Sequence, residues 1–321
     1  MFQFAKKCLQ KTKLVVLYFR RIIFVRGHFH VSPIAKIRSN IGGGFLTDQY
    51  MLYGLKDASR KKEYLSEFDW YRSRYINAPY DFLLNNKVAC TQLLQQYVRV
   101  PAIYAMRNKG IISAFGQDVM TEDDVLSLIR EHGDAFFKPS DKGKGNGVCH
   151  ISEKGGQLYI DDRSCSVQEV RDMFSHYENW ILCETIHQGK FPASLYDRTV
   201  NTIRMITFRD VKTEEFEVFF AVQRIGTRAT IPVDNGSRGG LVSKIDLDTG
   251  VLSEARCLHN LDVHETHPDS GAQIKGARVP GWQDLKLAVL NLSKNLPYLS
   301  FIAWDIVQTD DGFAVIEANA S

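Results

Sequence analysis

The first 47 residues contain no carboxylate; the first acid of the chain is Asp48. Lys6, Lys7, Lys11, Lys13, Arg20, Arg21, Arg26, Lys36 and Arg38 supply nine positive charges over the same stretch. The formal net charge of +3 therefore hides a division, because the rest of the chain holds 31 basic residues against 37 acids. A basic, apolar start on an acidic body points to an anionic surface as neighbour. Long apolar runs are missing too. In "TKLVVLYFRRIIFVRGHF" Arg20 and Arg21 cut the apolar residues into two short pieces, well under the ~20 needed to cross a bilayer. No small-residue cleavage site follows them, so a signal peptide is not expected. Two readings of residues 1–47 stay open: a helix packed on the body, or peripheral attachment to anionic lipid.

Paired cysteines are also absent. Six cysteines (Cys8, Cys90, Cys149, Cys165, Cys183 and Cys257) are scattered with no C-x-x-C, the pattern of reduced, buried thiols in a cytoplasmic protein. Internal repeats, heptads and low-complexity segments are lacking, and 44% hydrophobic content over 321 residues supports one large or two small cores. Nucleic acid is not expected among the partners.

The signals that are present divide the chain. Residues 1–50 read as a basic segment, 51–115 as a helical region, 116–190 as a small α+β lobe and 191–321 as a larger antiparallel lobe. "TEDDVLSLIREHG" carries a Thr121 cap, acids in its first turn and Gly133 past its end, a complete helix signature. Ser166 and Glu169 form a capping box for a second helix, and "WQDLKLAVLNLSKNL" reads as a third. "NTIRMITFRD" and "FEVFFAVQRI" alternate in two-residue steps around an acidic turn and predict adjacent antiparallel strands.

Three constellations carry chemistry. In "FFKPSDKGKGNGV", Gly143, Gly145 and Gly147 lie between two short apolar segments. No G-K-[ST] closes the loop, so it is not a Walker A loop. It predicts a hairpin whose N–H groups can fold over phosphate oxygens, with Lys138 on the strand leading in; a surface hairpin with no ligand is the alternative. In "WDIVQTDDGFAVIEANA", Glu317 and Asn319 share a strand face. Asp305 meets them only if the loop is odd in length or a strand bulges, so one of these is predicted. Two buried carboxylates and an amide oxygen suit Mg²⁺; an acid pair in a solvated hairpin is the alternative. Arg204 and Arg224 stand among apolar neighbours on the two paired strands, where an arginine meets a phosphate or a structural carboxylate.

Taken in order, Lys87 on a helix, Lys138 before the glycines, Glu184 in "LCETI", Arg204 in "NTIR", the "VDNGSRGGLVSKIDLDTG" stretch and the final "IEANAS" resemble the ATP-grasp superfamily. The last two motifs resemble its sugar-transfer-associated members in particular, over roughly residues 55–321. The resemblance implies an α+β, ATP-grasp fold: two lobes with antiparallel sheets clamping a nucleotide, preceded by a helical N-terminal region. It implies ATP and Mg²⁺ as cofactors. Lys87 and Lys138 would hold phosphates, the loop at Gly143, Gly145 and Gly147 would close over them, and Glu184 with backbone at Leu182 and Ile186 would border the base or ribose. Asp305, Glu317 and Asn319 would carry the metal, Arg204, Arg224 and Lys138 would act on the transferred phosphoryl group, and Asn235 and Arg238 would line the same cleft.

The implied reaction joins a carboxylate to an amine through an acyl phosphate, on a glycan or small-molecule acceptor with an amine or amino-acid co-substrate. A kinase-like transfer to a hydroxyl and a nucleotide-binding scaffold of polysaccharide assembly are the alternatives. The chain departs from the resemblance twice. Residues 1–85 lack the α/β alternation of the usual N-terminal ligase domain, and the chain stops at "NAS", where relatives continue. "CLHNLDVHETHP" gathers Cys257, His259, His264 and His267 at a spacing that fits no standard zinc site, and reads as a loop; the following "HPDSGAQIKGARVPGW" resembles a stretch of the sugar-transfer-associated family, which implies a place near the acceptor.

Overall fold

The structure is a computed structural model that describes residues 12–27, 29–116, 119–140, 146–258 and 262–320. The chain divides into two compact units, residues 1–78 with 321, and residues 79–320.

The first unit is helical. Helix α1 (Pro33–Gly43) starts behind a Ser32 side chain that accepts from the Ala35 N–H and has proline in its first turn. Helices α2 (Thr47–Leu52) and α3 (Glu67–Ser73) follow. "DASRKKEYLSEFDWYRSRYI" is not one helix, because Ser66 begins a new one by accepting from the Asp69 N–H at 3.1 Å. The buried apolar residues here are Ile22, Phe45 and Leu55. Asn40 donates to the Ile22 carbonyl at 2.8 Å, and Tyr18 meets Phe68 edge to face at 4.9 Å.

The second unit opens with α4 (Phe82–Asn85) and α5 (Lys87–Leu94), the latter capped by Asn86, whose oxygen accepts from the Ala89 N–H at 3.0 Å. An eight-stranded antiparallel sheet follows, made of β1 (Ile103–Asn108), β2 (Ile111–Ser113), β3 (Val119–Met120), β4 (Asp134–Pro139), β5 (Cys149–Lys154), β6 (Gln157–Ile160), β7 (Arg163–Cys165) and β8 (Trp180–Cys183). Their order across the sheet is β3-β2-β1-β8-β4-β5-β6-β7. This small lobe thus begins well before residue 116, since β1 pairs directly with β8.

Helices α6 (Glu122–His132) and α7 (Val167–His176) start at the expected caps, Ser166 with its capping box and Thr121 with one closed by Asp124 that the sequence reading did not name. Their Val125, Leu126, Ile129, Val170 and Phe174 share one core with Ala135, Phe137, Ile151, Trp180 and Leu182 of the sheet. Two-residue alternation then sends Phe136, Lys138, Ile181 and Cys183 to the opposite face. The hairpin expected around the glycines is present, with Phe137 opposite Cys149.

The large lobe is a seven-stranded antiparallel sheet. Strands β9 (Ile203–Arg209) and β10 (Phe216–Ile225) are neighbours, β11 (Leu241–Ile245), β12 (Leu252–Cys257) and β13 (Val263–His264) follow, and β14 (Phe301–Thr309) and β15 (Gly312–Asn319) form the final hairpin. Their order is β13-β12-β11-β10-β9-β14-β15. Helix α8 (Trp282–Lys294) buries Trp282, Leu285, Val289 and Leu292 against Met205, Trp304 and Ile306. The Trp304 indole donates to the Thr207 hydroxyl at 2.9 Å, so this buried ring has a partner.

Candidate active site

The hairpin of β14 and β15 decides the geometry of the acids. Its tip places Thr309 opposite Gly312, an even loop, yet Asp305 still faces Glu317. A bulge achieves this: the register jumps between Asp305 and Ile306, leaving Ile316 as the extra residue. On the other side of β14, Asp305 faces Arg204 of β9. Arg204, Asp305 and Glu317 therefore stand at one level across three adjacent strands, close enough to interact.

That level is the edge of a buried charge network. Asp305 has only 5% of its side chain exposed. Arg204 grips it with both Nε and Nη2, the latter at 2.8 Å from Oδ2, and Arg224 Nη1 reaches Oδ1 at 3.3 Å. The other arm of Arg224 donates to Asp234 Oδ1 at 2.6 Å, and Asp234 Oδ2 accepts from the Thr202 N–H at 2.7 Å and its hydroxyl. Two guanidinium groups and two carboxylates alternate, so the buried charges cancel. Burial disfavours the Arg204 cation, but the charge and hydrogen bonds of Asp305 hold its pKa above the usual value. Arginine and Asp305 were expected to serve phosphate and metal separately; the structure makes them partners of one another.

Glu317 and Asn319 are different. Both are half-buried, and neither side chain makes a hydrogen bond or ion pair among the described residues. Glu317 lines a cleft together with Lys87 of α5, Lys138 of β4, Ile103, Ile181, Cys183 and Ile316. The Lys138 ammonium lies 5.9 Å from the centre of the Phe136 ring and has no carboxylate partner among the described residues. One cleft thus brings together Lys138 from the small-lobe sheet, Lys87 from a helix that packs with the large-lobe core, and Glu317, a carboxylate with no hydrogen bond or ion pair among the described residues. The cleft encloses about 30 Å³, room for one water. Ligand pockets run to several hundred Å³, so a nucleotide enters only if the two lobes part.

For Mg²⁺ the donor set is chemically suitable: the two oxygens of Glu317, the amide oxygen of Asn319, and what Asp305 Oδ2 has left beside Arg204. All are hard oxygens of the kind this ion takes alongside water and phosphate. Glu317 is the ligand best free to serve.

The other sequence-derived residues fall in several places. Leu182 points into the core of the small lobe, fully buried, on a strand paired on both sides with β1 and β4; its neighbours Ile181 and Cys183 occupy the cleft instead. Glu184 is held at the end of β8 by Arg99 at 3.2 Å and the Ala102 N–H at 3.1 Å. Ile186 is buried with Val307 and Ala314 where the chain passes between lobes. It borders a second hollow of about 170 Å³, lined by Phe136, His150, Thr185 and Pro232 among others. There His150 Nε2 meets Asp134 at 2.9 Å. Burial pushes the Asp134 carboxyl up, but His150, His187 and Thr185 together outweigh it and hold the pKa below the ordinary value.

Asn235 spends its side-chain oxygen on capping the short turn Gly236–Arg238, accepting from the Ser237 N–H at 2.9 Å. Arg238 is exposed on that turn. Gly147 has φ +73°, and a Cβ there would sit 2.4 Å from the Tyr177 hydroxyl, so this end of the loop requires glycine. Gly143 and Gly145 lie outside the described residues, as does His259. The described histidines build no zinc site, and among the described residues no cluster of His, Cys, Asp and Glu could hold a metal on its own. His267 is a core residue: its Nε2 donates to the Gly226 carbonyl at 2.7 Å, its Nδ1 accepts from Asp269 and Ser270, and its ring stacks on Tyr196. Burial lowers its pKa and keeps it neutral.

Sequence reading missed Asp234, Phe136, the Asp134–His150 pair and the cleft residues Ile103, Ile181, Cys183 and Ile316. The alternation around Lys138 and Leu182 would have found Phe136, Ile181 and Cys183. Asp234 carries no local signal, since its partners lie 10 and 32 residues away.

A family model described as sugar-transfer associated ATP-grasp matches residues 68–321. No curated protein is significantly similar to the chain. Among solved structures it is similar to an ADP complex of purK, an N5-carboxyaminoimidazole ribonucleotide synthetase, at 14% identity, 74% of this chain, 45% of that one and a TM-score of 0.43. The D-alanine–D-alanine ligase of Helicobacter pylori matches at 11% identity, with 74% and 54% coverage and a TM-score of 0.41. A RimK domain ATP-grasp protein of Sphaerobacter thermophilus matches at 14% identity, with 74% and 60% coverage and a TM-score of 0.39. The chain spans about half the length of these structures.

Proposed function

The chain belongs to the sugar-transfer associated ATP-grasp family, and on that premise we propose that it is an ATP- and Mg²⁺-dependent ligase joining a carboxylate to an amine. The acceptor is an acidic glycan of the cell surface or its sugar precursor, and the second substrate an amine or amino acid. A carboxylate oxygen attacks the γ-phosphorus and ADP departs. The amine nitrogen then attacks the acyl carbon, loses a proton, and inorganic phosphate leaves.

One observation carries the reading: Lys87 and Lys138 share a cleft with Glu317, and Lys138 has no carboxylate partner among the described residues. Phosphate oxygens would supply the missing negative charge. Mg²⁺, held through Glu317 and Asn319, would neutralise charge developing on the transferred phosphoryl group. Arg204 and Arg224 act by fixing Asp305, which stands opposite Glu317 on the adjacent strand.

Release of ADP and phosphate should rise only when an acid and an amine from a candidate panel are both present. A stable phosphorylated product without free phosphate would instead establish a kinase-like transfer, and bound ATP with no turnover across the panel a scaffold. Lys138→Ala should remove measurable nucleotide binding in calorimetry, because a charge-assisted contact to phosphate is lost. Unaltered affinity would take the β4 lysine out of the site.

A further inference from the structure

Helix α1 is built inside out for a globular protein. Its buried positions are polar, Ser39 and Asn40, whereas Ile34, Ile37 and Ile41 are 64%, 57% and 67% exposed. The three isoleucines follow the i, i+3, i+7 spacing of a single helix face. The preceding segment repeats the pattern, with Val16, Phe19 and Phe24 exposed at 59%, 48% and 74%. Around these apolar groups stand Lys13, Arg20, Arg26, Lys36 and Arg38, none of them in an ion pair among the described residues.

Exposed apolar residues rimmed by unpaired cations mark an interaction surface rather than a solvated one. The charge complement is specific. No acid interrupts residues 1–47, while the remainder of the chain carries an excess of acids and would be repelled by the surface this segment attracts. No helix among the described residues is long and apolar enough to cross a membrane, which leaves attachment in the interfacial plane.

We propose that the isoleucine face of α1, with the cations around it, docks the protein on the surface of an anionic lipid membrane. The isoleucines and Phe24 enter the boundary between headgroups and acyl chains while the arginines and lysines pair with lipid phosphate and carboxylate. The site lies outside the nucleotide cleft and stands or falls separately from the ligase reading.

Co-sedimentation of the full chain with vesicles tests it. Binding should be seen with phosphatidylcholine vesicles containing phosphatidylserine, be weak with phosphatidylcholine alone, and fall as salt is raised. Each basic residue near such a surface contributes about a fivefold factor. Arg20→Gln, Arg26→Gln and Lys36→Gln together should therefore weaken binding about a hundredfold. Ile34→Gln, Ile37→Gln and Ile41→Gln together should abolish the salt-resistant part, and all six positions are exposed, so the melting curve checks that the fold is kept. Absent binding to anionic vesicles, or binding that both triple variants retain, overturns the proposal. So does a stable dimer by light scattering that the isoleucine variant dissolves and vesicles do not compete with, because the face would then belong to a second copy.

Discussion

Replacing Asp305 by asparagine should lower the melting temperature by about 6–12 °C. The substitution keeps size and shape but leaves Arg204 and Arg224 facing an amide. Removing one partner of a buried ion pair costs about 3–5 kcal/mol because the other charge stays buried without compensation. The guanidinium groups are 32% and 20% exposed, so water recovers part of that and the lower figure applies. For a unit of this size each kcal/mol moves the midpoint by about 2–4 °C. Adding Arg204→Met to the Asp305→Asn background should return part of the loss, since it removes one orphaned cation. In a double-mutant cycle the two changes should be strongly non-additive. A shift of only a degree or two would mean that the arginines do not depend on Asp305.

This network also marks the limit of what the sequence discloses. The strand pattern at Arg204 and Arg224 signals an anionic partner, and it leaves phosphate and carboxylate equally open. Register decides between them: Arg204 and Asp305 face one another although 101 residues apart, a pairing that no local pattern encodes. The helices behaved oppositely. Thr121 with Asp124 and Ser166 with Glu169 are contacts between residues three apart, so the sequence contains the whole interaction and the boundaries follow from it. The bulge in the last hairpin lies between these cases. A two-residue turn and the need for Asp305 and Glu317 to share a face already require an extra residue, and the structure shows it to be Ile316. The cleft lining was legible only in part: the expectation for Leu182 concerned its backbone, and the side chains that line the cleft are those of its neighbours Ile181 and Cys183.

Glu317→Gln should separate catalysis from stability in the opposite sense to Asp305→Asn. Glu317 has no hydrogen bond or ion pair among the described residues to lose, and it faces a like charge across the strand pair. Repulsion from Asp305 is set against attraction to Arg204, so the melting temperature should hold. Turnover should nevertheless fall at least about a hundredfold, because the carboxylate best free to hold Mg²⁺ becomes a neutral amide and the ion's contribution to charge neutralisation is several kcal/mol. Calorimetric titration of Mg²⁺ into the nucleotide-bound protein gives a readout independent of turnover and should lose most of its heat in the variant. Wild-type rates with an unchanged Mg²⁺ requirement would move the metal away from β15. A large loss of stability would show that Glu317 is held by the protein rather than waiting for an ion. The two acids stand opposite each other on adjacent strands, and the difference in response follows from their partners: Asp305 is consumed by two arginines, and Glu317 is left open to the cleft.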